Sequence, residues 1–420
     1  MNTALHFNTR KGAALCCATI LSTVLCFPAL GAVQMATTTA PAWVQQMTPG
    51  TWVAVGSNTI SQLDPANDPA ANPNYPNSPP WYGKTGQASV TQTWNGGAFA
   101  SKYGAKGSLV AWGGGHQDYY GNELYTFDMS TQKWSRITNP YRNVSFPVSN
   151  GIWPDGSPSV PHTSAFAGYH PGTNSFACML TQTSNTPANA TVPVFFSFDT
   201  MKWRHAPKSP SEVQYGGWAV YDASRDAWWM EGGDSGGVFA RYTMNGDGTA
   251  GSWANYSAKF NALDSRAGRD PNNDILVITT FRQNDNMYGL DLKNPGSDPV
   301  QLNQGGSPPT RDGAAGFEWS DTLKAFVYWR SGTGVYQVKP PAGDWRTGTW
   351  TWSKLTAGSN TVTVADPSAG VYSRFQLVRY QDVEIGVVVN DTDGRVYAFR
   401  VPGAPPGEVT PNPPTSVTAN

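Results

Sequence analysis

The chain has 420 residues, of which 39% are hydrophobic and only 14% charged, with a formal net charge of −1. Setting aside Arg10 and Lys11, which belong to an N-terminal leader, 26 basic residues face 29 acidic ones. With no basic excess to hold a polyphosphate, nucleic acid is excluded as an expected partner. Forty-four glycines, 33 prolines and many aromatics, without an amphipathic-helix pattern, describe an all-β, turn-rich protein.

At the N-terminus, Arg10-Lys11 precedes a largely apolar run from Gly12 to Leu30 that ends in small residues. Residues 1–31 therefore read as a signal peptide cleaved after Gly31 or Ala32. The expectation is a secreted or periplasmic protein with no membrane association after cleavage. Cys16, Cys17 and Cys26 leave with the leader. Cys178 remains alone, expected as a small buried thiol inside an apolar strand, and no disulfide can form within the mature chain.

The stretch 109–134 shows the unit from which the rest is built. An apolar strand at 109–112 runs into Gly113-Gly114-Gly115, a polar loop follows, and a second strand at 123–128 alternates as a half-buried strand does. A turn then leads to a strand opening at Trp134. Degraded copies follow: 161–203 ending at Trp203, and 217–253 ending at Trp253. A fourth copy carries 275–280 and 287–291 but no closing tryptophan. The fifth spans 313–352, and the sixth spans 374–400 without a last strand. Trp203 to Trp253 is 50 residues and Trp253 to Trp352 is 99, twice that spacing with one tryptophan missing.

Thr51-Trp-Val-Ala-Val has the character needed to supply the missing sixth strand by pairing with 396–400, which closes a ring and removes its free edge. The stretch 57–86, rich in Pro and Asn, reads as a long surface loop, with an irregular seventh blade as the alternative. A single propeller domain over 43–402 follows, and 403–420 reads as a Pro-rich tail of linker composition.

The order apolar strand, Gly-Gly, polar loop, Tyr-x-Phe-Asp, turn, Trp resembles a kelch repeat, one blade of a galactose-oxidase-like β-propeller. The resemblance implies an all-β fold of six kelch-like blades, or seven, closed by an N-terminal strand, and implies little about activity. Galactose oxidases hold copper through two tyrosines and two histidines, with one tyrosine linked to cysteine. Cys178 lies mid-strand and no paired histidines occur, which argues against that activity. No cofactor is expected.

If each blade runs a to d from axis to rim, the b–c and d–a loops share one face. Polar residues collect at those loops: His116, Asp118 and Tyr119 after the triple glycine, Arg282, Arg330, and His162, Tyr215, Arg266 or Arg269, Arg311 and Arg374 at the starts of strands a. The expected catalytic residues are His116, Tyr119 and His162. The expected substrate-binding residues are Asp118, Tyr215, Arg282, Arg311, Arg330 and Arg374, because guanidinium forks hold carboxylate or sulfate in two-pronged contacts. A metal held by His116, Asp118 and His162 is the weaker reading, since no tight ligand spacing requires it. His170 and His205 read as surface residues.

Imidazole and phenol beside arginine suit proton abstraction α to a carboxylate. These residue types are similar to those of secreted propeller-fold polysaccharide lyases, such as ulvan and oligogalacturonide lyases. The resemblance implies β-elimination at a uronic acid of an acidic polysaccharide or other anionic glycan; the chain is expected to act as a monomer. The alternative is a non-catalytic propeller that binds glycan or protein through the same face.

Overall fold

The computed structural model of the protein describes residues 34–35, 38–115, 117–184, 189–213, 215–232, 238–260, 263–280, 285–310 and 314–403. Six antiparallel sheets of four strands stand around one axis as a six-bladed β-propeller. Blade 1 consists of Gly97–Ala100, Ser108–Ala111, Tyr125–Asp128 and Lys133–Arg136, in order from axis to rim. Its second strand is buried throughout, because each blade is covered on both faces by its neighbours. Outer strands show the alternation of a half-covered surface: in Thr349–Lys354, Trp350 and Trp352 are buried between exposed threonines.

The ring closes as expected. Trp52–Val55 pairs antiparallel with Val396–Arg400 in the register Trp52↔Phe399 and Val55↔Val396, so the N-terminal segment supplies the outer strand of blade 6. A short parallel strand, Gln34–Met35, also lies along the inner strand of that blade. Blade 4, the copy without its tryptophan, has an outer strand of only two residues, Val300–Gln301. The chain then crosses to pair Asn303–Gly306 in parallel with the outer strand of blade 5. Trp345 of blade 5 packs over Gly289 of blade 4, where a Cβ would stand 2.3 Å from the indole.

One expectation is refined and two need correction. The stretch 57–86 contains no strand and so no seventh blade; it runs over the surface as a long loop, but one anchored by Ile60, Ala71 and Trp81, which are fully buried in it. Its apolar residues pack onto blade 1, which turns it into a cap. His170 is also buried. Its Nε2 lies 2.8 Å from Asp226 Oδ1 and its Nδ1 2.8 Å from Thr173 Oγ1, so it ties the a–b turn of blade 2 to that of blade 3. Third, the inner strands of blades 2 and 6 start later than expected, at Ala167 and Gln376. His162 and Arg374 therefore sit in the connections that lead into the strands. His205 is exposed and Cys178 is a free buried thiol, pushed up to about 12 by burial.

Candidate functional site

The connections into the inner strands crowd the axis on one face, and there they enclose a cavity of about 360 Å³. Trp94 leads into blade 1, His162 and Ser164 into blade 2, and Tyr215 into blade 3. Asp264 leads into blade 4 and Tyr372 into blade 6. Asp118 comes from the b–c loop of blade 1, so the two loop sets expected to meet do meet.

His162 is 6% exposed and its Nε2 lies 3.1 Å from Asp118 Oδ2. Both partners are held from behind. The backbone N–H groups of Lys84 and Thr85 donate to the carbonyls of Gln117 and Asp118, and Thr85 Oγ1 donates to Asp118 Oδ1 at 3.1 Å. Asn95 Oδ1 accepts the N–H of Thr163, while its amide donates to Ser89 O, which ties the residue after His162 to the connection into blade 1. Gly115 has φ +75°, and a Cβ there would stand 2.3 Å from His162 Cδ2. The glycine run thus lets the blade 1 loop close onto this histidine.

Trp94 covers the imidazole, with ring centroids 5.3 Å apart, and is 44% exposed. Across the cavity, the Tyr372 hydroxyl donates to Asp264 Oδ1 at 2.6 Å. Trp94, Ser164, Asp264 and Tyr372 all have φ between 44° and 61°. Backbone of this kind costs of order 1–3 kcal/mol per residue and persists where surrounding contacts over-determine it, commonly at functional sites. Most of the remaining non-glycine residues in this region of φ, such as Asn174, Asp226, Asp274 and Lys324, close hairpin turns between strands.

Of the residues expected here, Asp118, His162 and Tyr215 line the cavity. His116, Arg282 and Arg311 lie outside the described residues. Tyr119 does not face the cavity: it is 1% exposed and its hydroxyl donates to Glu123 Oε1 at 2.6 Å. Tyr125 donates to the same oxygen at 2.8 Å, and burial pushes the Glu123 carboxyl up to about 7. The cause is the chain reversal at Gly115, whose bridge to Tyr119 turns the phenol inward beneath the loop.

Arg374 is likewise absorbed by the scaffold. Its guanidinium donates to the carbonyls of Val389, Asn95 and Gly370, joining blade 6 to blade 1 where the ring meets. Burial pulls it down to about 10. Arg330 lines a separate groove over blade 5. Arg266 stands below the mouth in the axial channel, where its Nη2 lies 3.2 Å from Glu318. Among the described lining residues the mouth carries two carboxylates, one imidazole and two phenols, and no guanidinium.

Trp94, Asp264 and Tyr372 were not singled out in the sequence. Their shared signal is position: each lies within three residues of an inner strand or in the turn before it, as Tyr215 does, with His162 five residues before its strand. The arrangement can orient an imidazole through a carboxylate, accept and return a proton, and present an indole face to an apolar surface. No protein-family model matches the chain, and no curated protein matches it significantly.

Proposed function

We propose that the protein is an exported propeller that binds an acidic polysaccharide at the axial mouth and cleaves it by β-elimination at a uronic acid. The observation that carries this reading is the His162–Asp118 pair, braced from behind and lining a cavity with an exposed indole. With Asp118 accepting from Nε2–H, the neutral imidazole carries its lone pair on Nδ1 and acts as base. The imidazole takes the proton α to the carboxylate. The C–H electron pair becomes the new C=C bond, the bond to the glycosidic oxygen at the β-carbon breaks, and that oxygen leaves with a proton. The Tyr372 hydroxyl, bonded to Asp264, and Tyr215 are the phenols on hand to supply it.

A second reading, binding without cleavage, is favoured by one specific observation. The phenol of Tyr119 and the guanidinium of Arg374, both expected to work on substrate, are committed to the scaffold. The purified protein separates the two readings when incubated with uronate polysaccharides while ultraviolet absorbance of the unsaturated product is followed. Accumulating absorbance supports cleavage. Saturable binding with no such product supports the second reading.

A further inference from the structure

Trp94 differs from the other tryptophans in two ways. Among the described residues it is the one exposed tryptophan, with 44% of its surface open, whereas Trp52, Trp112, Trp218 and Trp329 keep below 2%. It also holds φ +52°, in a region that a bulky side chain rarely adopts. A folding role explains neither fact. Burying an indole stabilises in proportion to the apolar area removed from water, and Trp94 leaves much of that area wet. Lone exposed apolar residues are ordinary on a protein surface, but this one lines the axial cavity and lies against the His162 imidazole.

The scaffold pins this stretch of backbone from both neighbouring blades. Ser164, itself at φ +44°, donates its N–H to Trp94 O at 2.8 Å, which joins the connection into blade 1 to that into blade 2. Thr163 Oγ1 accepts the N–H of Gly96, and a Cβ on Gly96 would stand 2.3 Å from Ser164 O. From blade 6, Arg374 donates to Asn95 O, and Ser373 Oγ accepts the N–H of Gly97 at 3.1 Å. Strained backbone held by so many contacts gives the indole a fixed base. The ring is tilted 39° to the imidazole, and the part that does not cover it opens at the rim of the mouth. The cavity, at about 360 Å³, is at the small end of ligand pockets, which span about 300–1,000 Å³. It takes the reacting end of a polymer, and the neighbouring unit lies at the rim.

We propose that Trp94 is a fixed sugar-binding platform, on which the pyranose unit next to the reacting one stacks through a face of C–H bonds. Those hydrogens carry partial positive charge and meet the negative π face of the indole. The same contact removes the apolar faces of both rings from water. Such a contact reads the face of the sugar ring more than its charge. The inference rests on the reading of the mouth as a glycan site and is independent of whether the glycan is cleaved.

Calorimetric titration of the full-length protein with hexasaccharides of galacturonate and of glucuronate tests it, in Trp94→Ala and Trp94→Phe. The alanine variant should bind at least about tenfold more weakly, as for an aromatic anchor of a binding site. The phenylalanine variant keeps a π face and should stay within about threefold of wild type. Because stacking is not an interaction between charges, the alanine loss should persist as salt is raised. A His162→Gln background separates a platform from a mere cover of the imidazole. The platform touches the sugar itself, so most of the loss on Trp94→Ala should remain there. Unchanged affinity in Trp94→Ala, or a loss that vanishes at high salt or in the His162→Gln background, overturns the proposal and leaves the glycan reading standing. No binding of either hexasaccharide by the wild type removes the glycan reading and the platform with it. Trp94-dependent binding in a protein that releases no unsaturated product leaves the platform standing and removes only the cleavage reading.

Discussion

Truncating Trp52 to alanine should loosen the ring at its closure. The indole is 1% exposed and lies against Trp329 and Phe399, with centroids 5.4 and 5.3 Å away. Its N–H donates to the carbonyl of Thr333 in blade 5, so one side chain joins blade 5 to the closing strand. That carbonyl keeps a donor in the variant, the Thr356 hydroxyl, and no buried acceptor is orphaned. The cost is therefore cavity and lost contact: about 3–5 kcal/mol for a buried Trp→Ala, with two ring contacts of about 0.5–1.5 kcal/mol partly included. A total near ~5 kcal/mol compares with a folded stability of about 5–15 kcal/mol. With an unfolding entropy of about 2.1 cal/mol/K per residue over roughly 360 residues, the melting temperature falls by about 7 °C. Thermal unfolding by circular dichroism reads this directly, with Trp94→Ala as the control, since Trp94 is 44% exposed and should change little. A Trp52→Ala protein melting within about 2 °C of its parent would refute the closure as a source of stability.

Glu123→Gln keeps an acceptor for both phenols and removes a carboxyl that burial holds at about 7 instead of its ordinary 4.5. The folded state then binds the extra proton between those values, so the wild-type contribution is present below about pH 4.5 and is lost as pH rises through 7. The gain in melting temperature of Glu123→Gln over wild type should accordingly be larger at pH 8 than at pH 5, and an equal gain at both would contradict it. Arg374→Lys keeps the charge but places all its donors on one nitrogen, which cannot reach carbonyls now met by Nε, Nη1 and Nη2, and should cost about 2–4 kcal/mol in chemical denaturation while leaving glycan affinity unchanged. A loss of affinity without a loss of stability would return Arg374 to the ligand. His170→Ala removes the tie between two a–b turns on the face opposite the mouth, so melting should drop while glycan affinity holds; a change in affinity alone would contradict that placement.

The blades could be read in advance because a strand covered on both faces must be largely apolar, as 109–111, 275–278 and 325–329 are. A tryptophan then marks the inward side of an outer strand, as Trp134, Trp350 and Trp352 do. Closure was readable for the same reason: a spare Trp52 stood at one end and a copy lacking its last strand at the other. The connections were harder. Their residues make no periodic pattern, and the direction of a side chain there depends on partners far off in sequence. Tyr119 is an example, since the bridge between Gly115 and Tyr119 turns it from the mouth to Glu123. Arg374 is another: it faces three carbonyls that come together only when the ring closes. His162 and Asp118 were readable because a glycine run announces a close approach, and the histidine is what approaches.

The measurement closest to the proposed chemistry compares wild type, Asp118→Asn and His162→Ala on a uronate polysaccharide, following formation of the unsaturated product at substrate saturation. If His162 moves the proton, its alanine variant should lose at least about a hundredfold in rate, within the range for one general base, while still binding the polymer. Asp118→Asn should fall between the two, since it keeps the bond partner but stabilises the imidazolium less. A wild-type protein that binds the polymer without forming the product, or a His162→Ala protein that forms it at the full rate, would contradict proton transfer at this mouth.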